Sequence, residues 1–410
     1  MKKIHSWYRR RREQGQTLVL FTVFLVVLLL FVGLGIDLSF AYITRANLSK
    51  ACDAACLAGM DNYWQGQAAA AAIATNAFSL NYGKSGRDQV APSPVVTFTT
   101  DASGNTTLTV TASATIRTFF TRILPDWKTL TVANTSQSIR AHVIMSVVLD
   151  RSGSMDTPCT TGGSGSRTRL DFLKFAVTNF ISYFDDSVDR AALVSYSTCP
   201  TVNLAMQKPF KAPFRTATLA LSANGWTGSS EGMTVGWSQN KGFTPPSGEV
   251  VQRVVVFFTD GYANTFSNRL TCGIRNVSGE DIRSFYDPNS NCNERNSGCS
   301  MPSSIPSMYP AYHGLTTIST ASPTQMIAEA EARAIYWANQ ARDGGAFVYA
   351  VGLNCDSQGP KSNFLAQVAN VDGVVDQDKP IGISIIAPTS EDLRDAFHTI
   401  AKAILLRLTR

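Results

Sequence analysis

Charge is scarce in this chain. Asp, Glu, Lys and Arg make up 16 % of the 410 residues while 44 % are hydrophobic, against a charged share of about 25 % in typical soluble domains. Apolar side chains are therefore abundant enough to build cores, which excludes intrinsic disorder over most of the length. The length itself fits two or three domains. Histidine is rarer still: His5, His142, His313 and His398 are the whole supply, which limits zinc sites and imidazole catalysis from the outset. No C-x-x-C pair occurs, which weakens zinc and thioredoxin-like readings. No G-x-x-x-x-G-K-[ST] phosphate loop occurs either. The formal charge of +6 comes from the first dozen residues. Without Lys2, Lys3 and Arg9 to Arg12, 30 basic residues face 30 acidic ones. The bulk of the chain offers no basic face for a phosphate backbone, so nucleic acid is excluded as a partner.

Charge is absent altogether from Gln14 to Ile36, and Leu18 to Ile36 is almost continuously apolar. Nineteen helical residues span roughly 28 Å, close to the hydrocarbon thickness of a bilayer. A secretory signal has a shorter apolar core of ~7–15 residues and a small-residue cleavage site. Gly33-Leu34-Gly35-Ile36-Asp37 offers a poor one, so a retained membrane anchor is expected over residues 14–37. The basic tail 1–13 then stays cytoplasmic and the remainder is exported to the periplasm or cell exterior. Eight cysteines, at 52, 56, 159, 199, 272, 292, 299 and 355, all follow the anchor. An even number in an oxidising compartment reads as disulfides.

Beyond the anchor, Tyr42, Ala46, Ser49, Asp53 and Leu57 recur at helical spacing, with Gly59 as a stop signal. The alanine run from Ala68 predicts a second helix to Phe78. Strict alternation from Leu108 to Ile116 predicts a half-buried strand, with partners at 94–100 and 129–132. Residues 38–141 thus form a helical stalk with a small α+β module. From His142 the rhythm changes. Short apolar runs at 143–149, 191–196, 254–258 and 346–351 alternate with amphipathic stretches, notably Leu170, Leu173, Val177, Phe180, Ile181 and Phe184, and Leu393, Phe397, Ile400, Ile404 and Leu408. That pattern predicts an α/β fold over 142–410, its mostly parallel sheet covered by helices on both faces. Residues 262–323, rich in proline, asparagine and cysteine, break it as an insertion.

Ligand sites of open parallel sheets lie at the C-terminal strand ends. There the sequence places Asp150-Arg151-Ser152-Gly153-Ser154 after the first apolar run and Thr259-Asp260-Gly261 after the third, with Gly225-Trp226-Thr227-Gly228 between them. This constellation resembles the metal-ion-dependent adhesion site of von Willebrand factor A (VWA) domains, its five positions filled by Asp150, Ser152, Ser154, Thr227 and Asp260. The resemblance implies a Rossmann-like VWA fold holding Mg²⁺, with Mn²⁺ or Ca²⁺ as alternatives. Ser152 and Ser154 would ligate directly, Thr227 directly or through water, and Asp150 and Asp260 would hold the coordinated waters and hydroxyls. It also implies a protein partner offering an Asp or Glu carboxylate to the ion.

Gly15-Gln16-Thr17-Leu18-Val19, the anchor, Gly35-Ile36-Asp37, Arg45-Ala46-Asn47-Leu48 and Cys52-Asp53-Ala54-Ala55-Cys56-Leu57-Ala58-Gly59 resemble the TadE/TadG-like segment of tight-adherence (Tad, Flp) pilus-assembly proteins. Met233 to Trp237 and the closing Phe397 to Leu408 are similar to TadG-type proteins. True pseudopilins of that family carry glutamate five residues after the cleavage glycine; here Leu20 stands there, which favours a permanent anchor. The resemblance implies a membrane-anchored, non-enzymatic binding protein acting with pilus or pseudopilin components. A surface adhesin for a host or matrix protein and a VWA subunit of an enzyme complex are the competing classes. Because loops after parallel strands emerge on one sheet edge, Cys159–Cys199 is the expected disulfide, with Cys355 joined to an insertion cysteine.

Overall fold

A single unbroken helix, α1, runs from His5 to Asp61 over 57 residues. The structure, a computed structural model, describes residues 5–83, 92–123, 125–159, 167–266, 284–285, 294–295, 323–355 and 359–406. Along α1 the apolar side chains from Leu18 to Val32 are exposed, and the helix is long and apolar enough to cross a membrane. The chain divides into two compact units: Met1–Thr100 with Thr106–Ile139, and Asp101–Asn105 with Arg140–Leu408.

In the first unit the second half of α1 buries one stripe. Leu48, Ala51, Cys52, Ala55, Cys56 and Met60 pack against Ala74 and Phe78 of α2 (Gln67–Asn81) and against the alternate residues Leu108, Val110, Ala112 and Ala114 of a sheet. That sheet orders β1 (Val95–Thr100), β2 (Thr106–Arg117) and β3 (Thr129–Arg140) side by side. The outer face carries hydroxyl pairs, Thr111 with Thr135 and Thr115 with Thr131, each at 3.1 Å. The strands predicted from alternation are present, and β3 extends to Arg140, well beyond the short segment anticipated. Gly59 does not stop the helix. It lies inside α1, where an added Cβ would meet Leu108 Cδ2 at 2.8 Å and Ala74 Cβ at 2.9 Å; it permits close packing. Cys52 and Cys56 are free and buried. Burial pushes the Cys56 thiol up to about 11, so it stays protonated and acts as a small packing residue.

The second unit is a mixed α/β layer structure. Its six-stranded sheet has the order β11-β10-β7-β4-β5-β6, formed by β4 (His142–Asp150), β5 (Arg190–Tyr196), β6 (Pro200–Gln207), β7 (Val251–Thr259), β10 (Phe347–Leu353) and β11 (Ser384–Ala387). Two short strands, β8 (Ser284–Phe285) and β9 (Glu294–Arg295), pair separately. All neighbours in the large sheet are parallel except the edge strand β6. One face buries Leu173, Val177 and Phe180 of α3 (Arg169–Ser182), Phe214 of α4 (Lys211–Leu219) and Phe397, Ile400 and Ile404 of α8 (Leu393–Leu406). The other buries Met233, Val235 and Trp237 of α5 (Ser229–Lys241), Ala334, Trp337 and Ala338 of α6 (Pro323–Asp343) and Leu365 and Val368 of α7 (Ser362–Ala369). This is the mostly parallel, doubly covered sheet that the apolar rhythm predicts. Near the strand starts, Arg140 grips Asp189 with bonds of 3.0 and 2.6 Å, and Asp189 also accepts the Val143 N–H. Most of the insertion expected at 262–323 lies outside the described residues.

The disulfide expectation requires correction. Cys159 pairs with Cys355, and Cys199 is disulfide-bonded elsewhere. Sharing one sheet edge is not sufficient; the loops also lean to opposite faces. Cys159 and Cys355 both join the core under α3 and α8. The segment bearing Cys199 bonds the turn that opens α5, through the Gly228 N–H to the Ser197 carbonyl.

Candidate metal centre

The strand order reverses beside β4: the chain leaves β4 for β5 on one side and later returns to β7 on the other. The crevice opened at the C-terminal ends of two such strands is where doubly wound sheets bind ligands. Asp150 ends β4 and Asp260 follows β7, and both are buried.

The oxygens converge. Asp150 accepts the Ser152 backbone N–H on Oδ1 and the Thr259 hydroxyl on Oδ2, both at 2.8 Å. Ser152 Oγ and Ser154 Oγ stand 3.1 Å apart, and the Ser154 hydroxyl donates to Asp260 Oδ1 at 2.8 Å. Ser154 sits in a short turn of 3-10 helix, Gly153–Asp156, which returns its side chain toward the sheet edge. The loop carrying Thr227 is tied in by its backbone: the Gly153 N–H donates to the Gly225 carbonyl, and the Asn224 N–H to the Arg151 carbonyl, each at 2.9 Å. Gly225 adopts φ 72°, and a Cβ there would stand 2.6 Å from Thr198 Oγ1. Glycine is the residue that this turn tolerates. The Thr227 N–H donates to Asn264 Oδ1 at 2.7 Å, which binds the loop to the segment after Asp260. All five residues predicted from the sequence therefore lie at the end of β4 or on three loops laced to one another.

Three contributors have no role in the sequence reading, although Thr259 stands in the Thr259-Asp260-Gly261 motif. Arg169, the first residue of α3, donates to Asp260 Oδ2 at 2.9 Å from a buried position. Thr259 is adjacent to the predicted Asp260, so the strand end itself could have signalled it. Asn264 orients the Thr227 loop and has no sequence signature.

Burial is the main reason that the Asp150 carboxyl is raised to about 7, and the charge of Asp260 adds to it. Tyr196, whose hydroxyl donates to the Phe258 carbonyl, is likewise pushed up by burial and by Asp150. Two buried carboxylates set against the Arg169 guanidinium leave the crevice short of positive charge. Among the described residues no three His, Cys, Asp or Glu side chains cluster to hold a metal, so any cation here would rely on hydroxyl oxygens. Such a donor set suits a hard ion. Adjacent oxygens around Mg²⁺, at about 2.1 Å from the ion, are roughly 3.0 Å apart, and Ser152 Oγ and Ser154 Oγ stand 3.1 Å apart. The residues present fit the ion.

No curated protein matches the chain. Among solved structures, the vWF domain of the type V pili tip protein Mfa5 from Porphyromonas gingivalis aligns at TM-score 0.43 and 18 % identity, covering 66 % of this chain and 97 % of that one. The PilB minor pilin from Streptococcus sanguinis aligns at TM-score 0.44 and 15 % identity, covering 77 % of this chain and 79 % of that one. Proximal thread matrix protein 1 from the mussel byssus, with a zinc-occupied MIDAS motif, aligns at 0.36 and 14 %, covering 65 % of this chain and 46 % of that one. Within the first unit, the family model described as "Tad: Putative Flp pilus-assembly TadE/G-like" matches residues 15–74, so helix α1 and the start of that unit are TadE/G-like in sequence.

Proposed function

We propose that this protein is a membrane-anchored, metal-dependent binding protein of a Tad-type pilus system, with α1 as its single anchor and a VWA-type site in its second unit. The observation that carries the reading is the oxygen cluster of Asp150, Ser152, Ser154 and Asp260 at the strand-order reversal, with the Thr227 loop hydrogen-bonded beside it. Ser152, Ser154 and Thr227 would hold Mg²⁺, and Asp150 and Asp260 would orient its waters. The bound ion would supply an electrophilic position for a carboxylate. Neutral hydroxyl ligands leave the cation's charge undiminished, so an Asp or Glu of a pilus component is the fitting partner. The role proposed is one of binding: an ion held by hydroxyls would present its open position to a partner's carboxylate.

The test is partner capture. Crosslinking in intact cells, followed by mass spectrometry, identifies what the native chain holds. Asp150→Ala and EDTA should each release the same protein, and Mg²⁺ should restore it for the native chain alone. A folded, metal-free Asp150→Ala variant that still captures that partner at native levels sinks the reading.

A further inference from the structure

The loop joining β2 to β3 is fastened to α1 at a height that matters if α1 crosses a bilayer. Asp37, buried on the helix, accepts four hydrogen bonds from this loop. They come from the backbone N–H groups of Phe119 at 2.7 Å, Phe120 at 3.0 Å and Thr121 at 2.9 Å, and from the Thr121 hydroxyl at 3.0 Å. One turn earlier, Gly33 is buried as well, and a Cβ there would stand 2.4 Å from Phe120 Cβ. Phe120 thus lies directly on the helix backbone. The base of the loop is closed by the Thr118 N–H to the Lys128 carbonyl at 3.2 Å and by the Thr118 hydroxyl to the Trp127 carbonyl at 2.5 Å.

Gly33 belongs to the apolar run that ends at Ile36, about 4–5 Å from its end along the helix axis. A loop pinned there stands level with the edge of the hydrocarbon. Its exposed side chains suit that position: Phe119, Ile123 and Trp127 are 59 %, 75 % and 52 % exposed, with Arg122, Asp126 and Lys128 exposed among them. Large apolar side chains held outward on a braced loop are uncommon on a water-facing surface. Large apolar side chains interspersed with Arg122 and Lys128, which outnumber the single acid Asp126, match a membrane–water interface, where the tryptophan ring lies among headgroups and the cations meet phosphates.

We propose that the loop residues 118–123 and 125–128 form a membrane-seated wedge, with Phe119, Ile123 and Trp127 entering the leaflet on the C-terminal side of the anchor and Arg122 and Lys128 meeting its lipid phosphates. This rests on the reading of α1 as a membrane anchor. Asp37 and Gly33 hold the wedge at its depth, so the first unit is mounted on the membrane at two points.

The test places a photo-crosslinking phenylalanine analogue, one position at a time, at Val27 in the anchor, at Phe119, at Ile123 and at Thr131 on the outer face of the sheet. The full chain is reconstituted in vesicles of phosphatidylethanolamine and phosphatidylglycerol, irradiated, and analysed for lipid adducts by mass spectrometry. The expected result is adducts from positions 27, 119 and 123 and none from 131. Adducts at 27 with only the background of 131 at 119 and 123 overturn the wedge while leaving the anchor intact. No adduct at 27 overturns the anchor, and the wedge falls with it. In native membranes, crosslinks from 123 to a protein or to a second copy instead of lipid also overturn the proposal. The labelled side chains are exposed; the label at 119 keeps an aromatic ring beside Phe120, and the label at 131 gives up the hydroxyl pair with Thr115 on the outer face. Asp37→Ala, which releases the loop, should reduce the yield at 123 to the background of 131 and preserve that at 27.

Discussion

Replacing Asp150 by asparagine should stabilise the ion-free protein and disable it at once. In the absence of a cation the Asp150 carboxyl is raised from 3.8 to about 7, chiefly by burial. The direction of the linkage follows: for an acid raised on folding, the unfolded chain releases its proton first. Stability is then greatest below about pH 4 and falls as pH rises toward 7. At 1.36 kcal/mol per decade, the penalty at pH 8 is roughly 4 kcal/mol. Asp150→Asn removes the charge and keeps an oxygen for the Ser152 N–H. The new amide must replace the Thr259 contact by letting that hydroxyl turn and accept, a rearrangement costing about 1 kcal/mol. The net gain is then about 3 kcal/mol, or roughly 6–10 °C in melting temperature for a unit of this size. The assay is thermal unfolding of the full chain in detergent with EDTA, at pH 5 and pH 8, followed by near-ultraviolet circular dichroism. The Asp150→Asn variant should exceed the native protein at pH 8, match it more closely at pH 5, and gain nothing from Mg²⁺. A variant that melts below the native protein at pH 8 in EDTA, with no difference in pH response, refutes the electrostatic account of the site.

Divalent cation should raise the melting temperature of the native chain, with about 2.7 kcal/mol of stabilisation at a hundredfold excess over Kd. Calorimetric titration should show affinity climbing from pH 5 to about 7 and flat above, because the ion displaces the Asp150 proton. Arg169→Gln should act in two directions: stability without metal falls by roughly 3–5 kcal/mol as Asp260 loses its buried partner, while Mg²⁺ affinity rises. An Arg169→Gln variant with weaker Mg²⁺ binding would show that the guanidinium assists the ion. Cys159→Ser should lower stability by roughly 2–5 kcal/mol, measured by melting, and non-reducing peptide mapping of the native chain should recover the 159–355 link. Ser152→Ala should weaken Mg²⁺ binding less than Asp150→Ala does, since water can take the vacated place, and titration of both variants ranks them.

The sheet and its site are legible where the determinants are local. Each strand of the parallel core announces itself as a short apolar run, and the carboxylates stand at or just past the ends of two of them. The proximity of Asp150 and Asp260 needs only the rule that parallel strands deliver their C-terminal ends to one edge. What stays hidden depends on which face a loop leans toward. Cys159 and Cys355 meet under α3 and α8, a preference no spacing encodes. Arg169 reaches Asp260 because α3 starts beneath the crevice, yet in sequence it is one cation before an amphipathic stretch. The edge strand β6 escapes notice for a related reason: it is half exposed, with a broken register against β5. Gly59 misleads because glycine serves both helix ends and close helix packing, and only tertiary neighbours tell the two apart.

The continuity of α1 has a mechanical consequence. At 1.5 Å per residue, 57 helical residues make a rod about 85 Å long, and tension applied to the folded unit at one end would travel along its axis instead of being absorbed by a hinge. Gly33 and Gly35 are where such a rod would first bend, since glycine leaves the backbone least restrained. That stretch is braced. Phe120 fills the side of Gly33, and Asp37 fastens the same loop one turn further on, so the loop bridges the weak turn as a splint bridges a joint. Gly35 itself has open space around it and relies on that bridge. Cutting the splint by Asp37→Ala would convert a strut into a tether, and a load on the folded unit would then be felt at the N-terminal end of α1 later and more weakly.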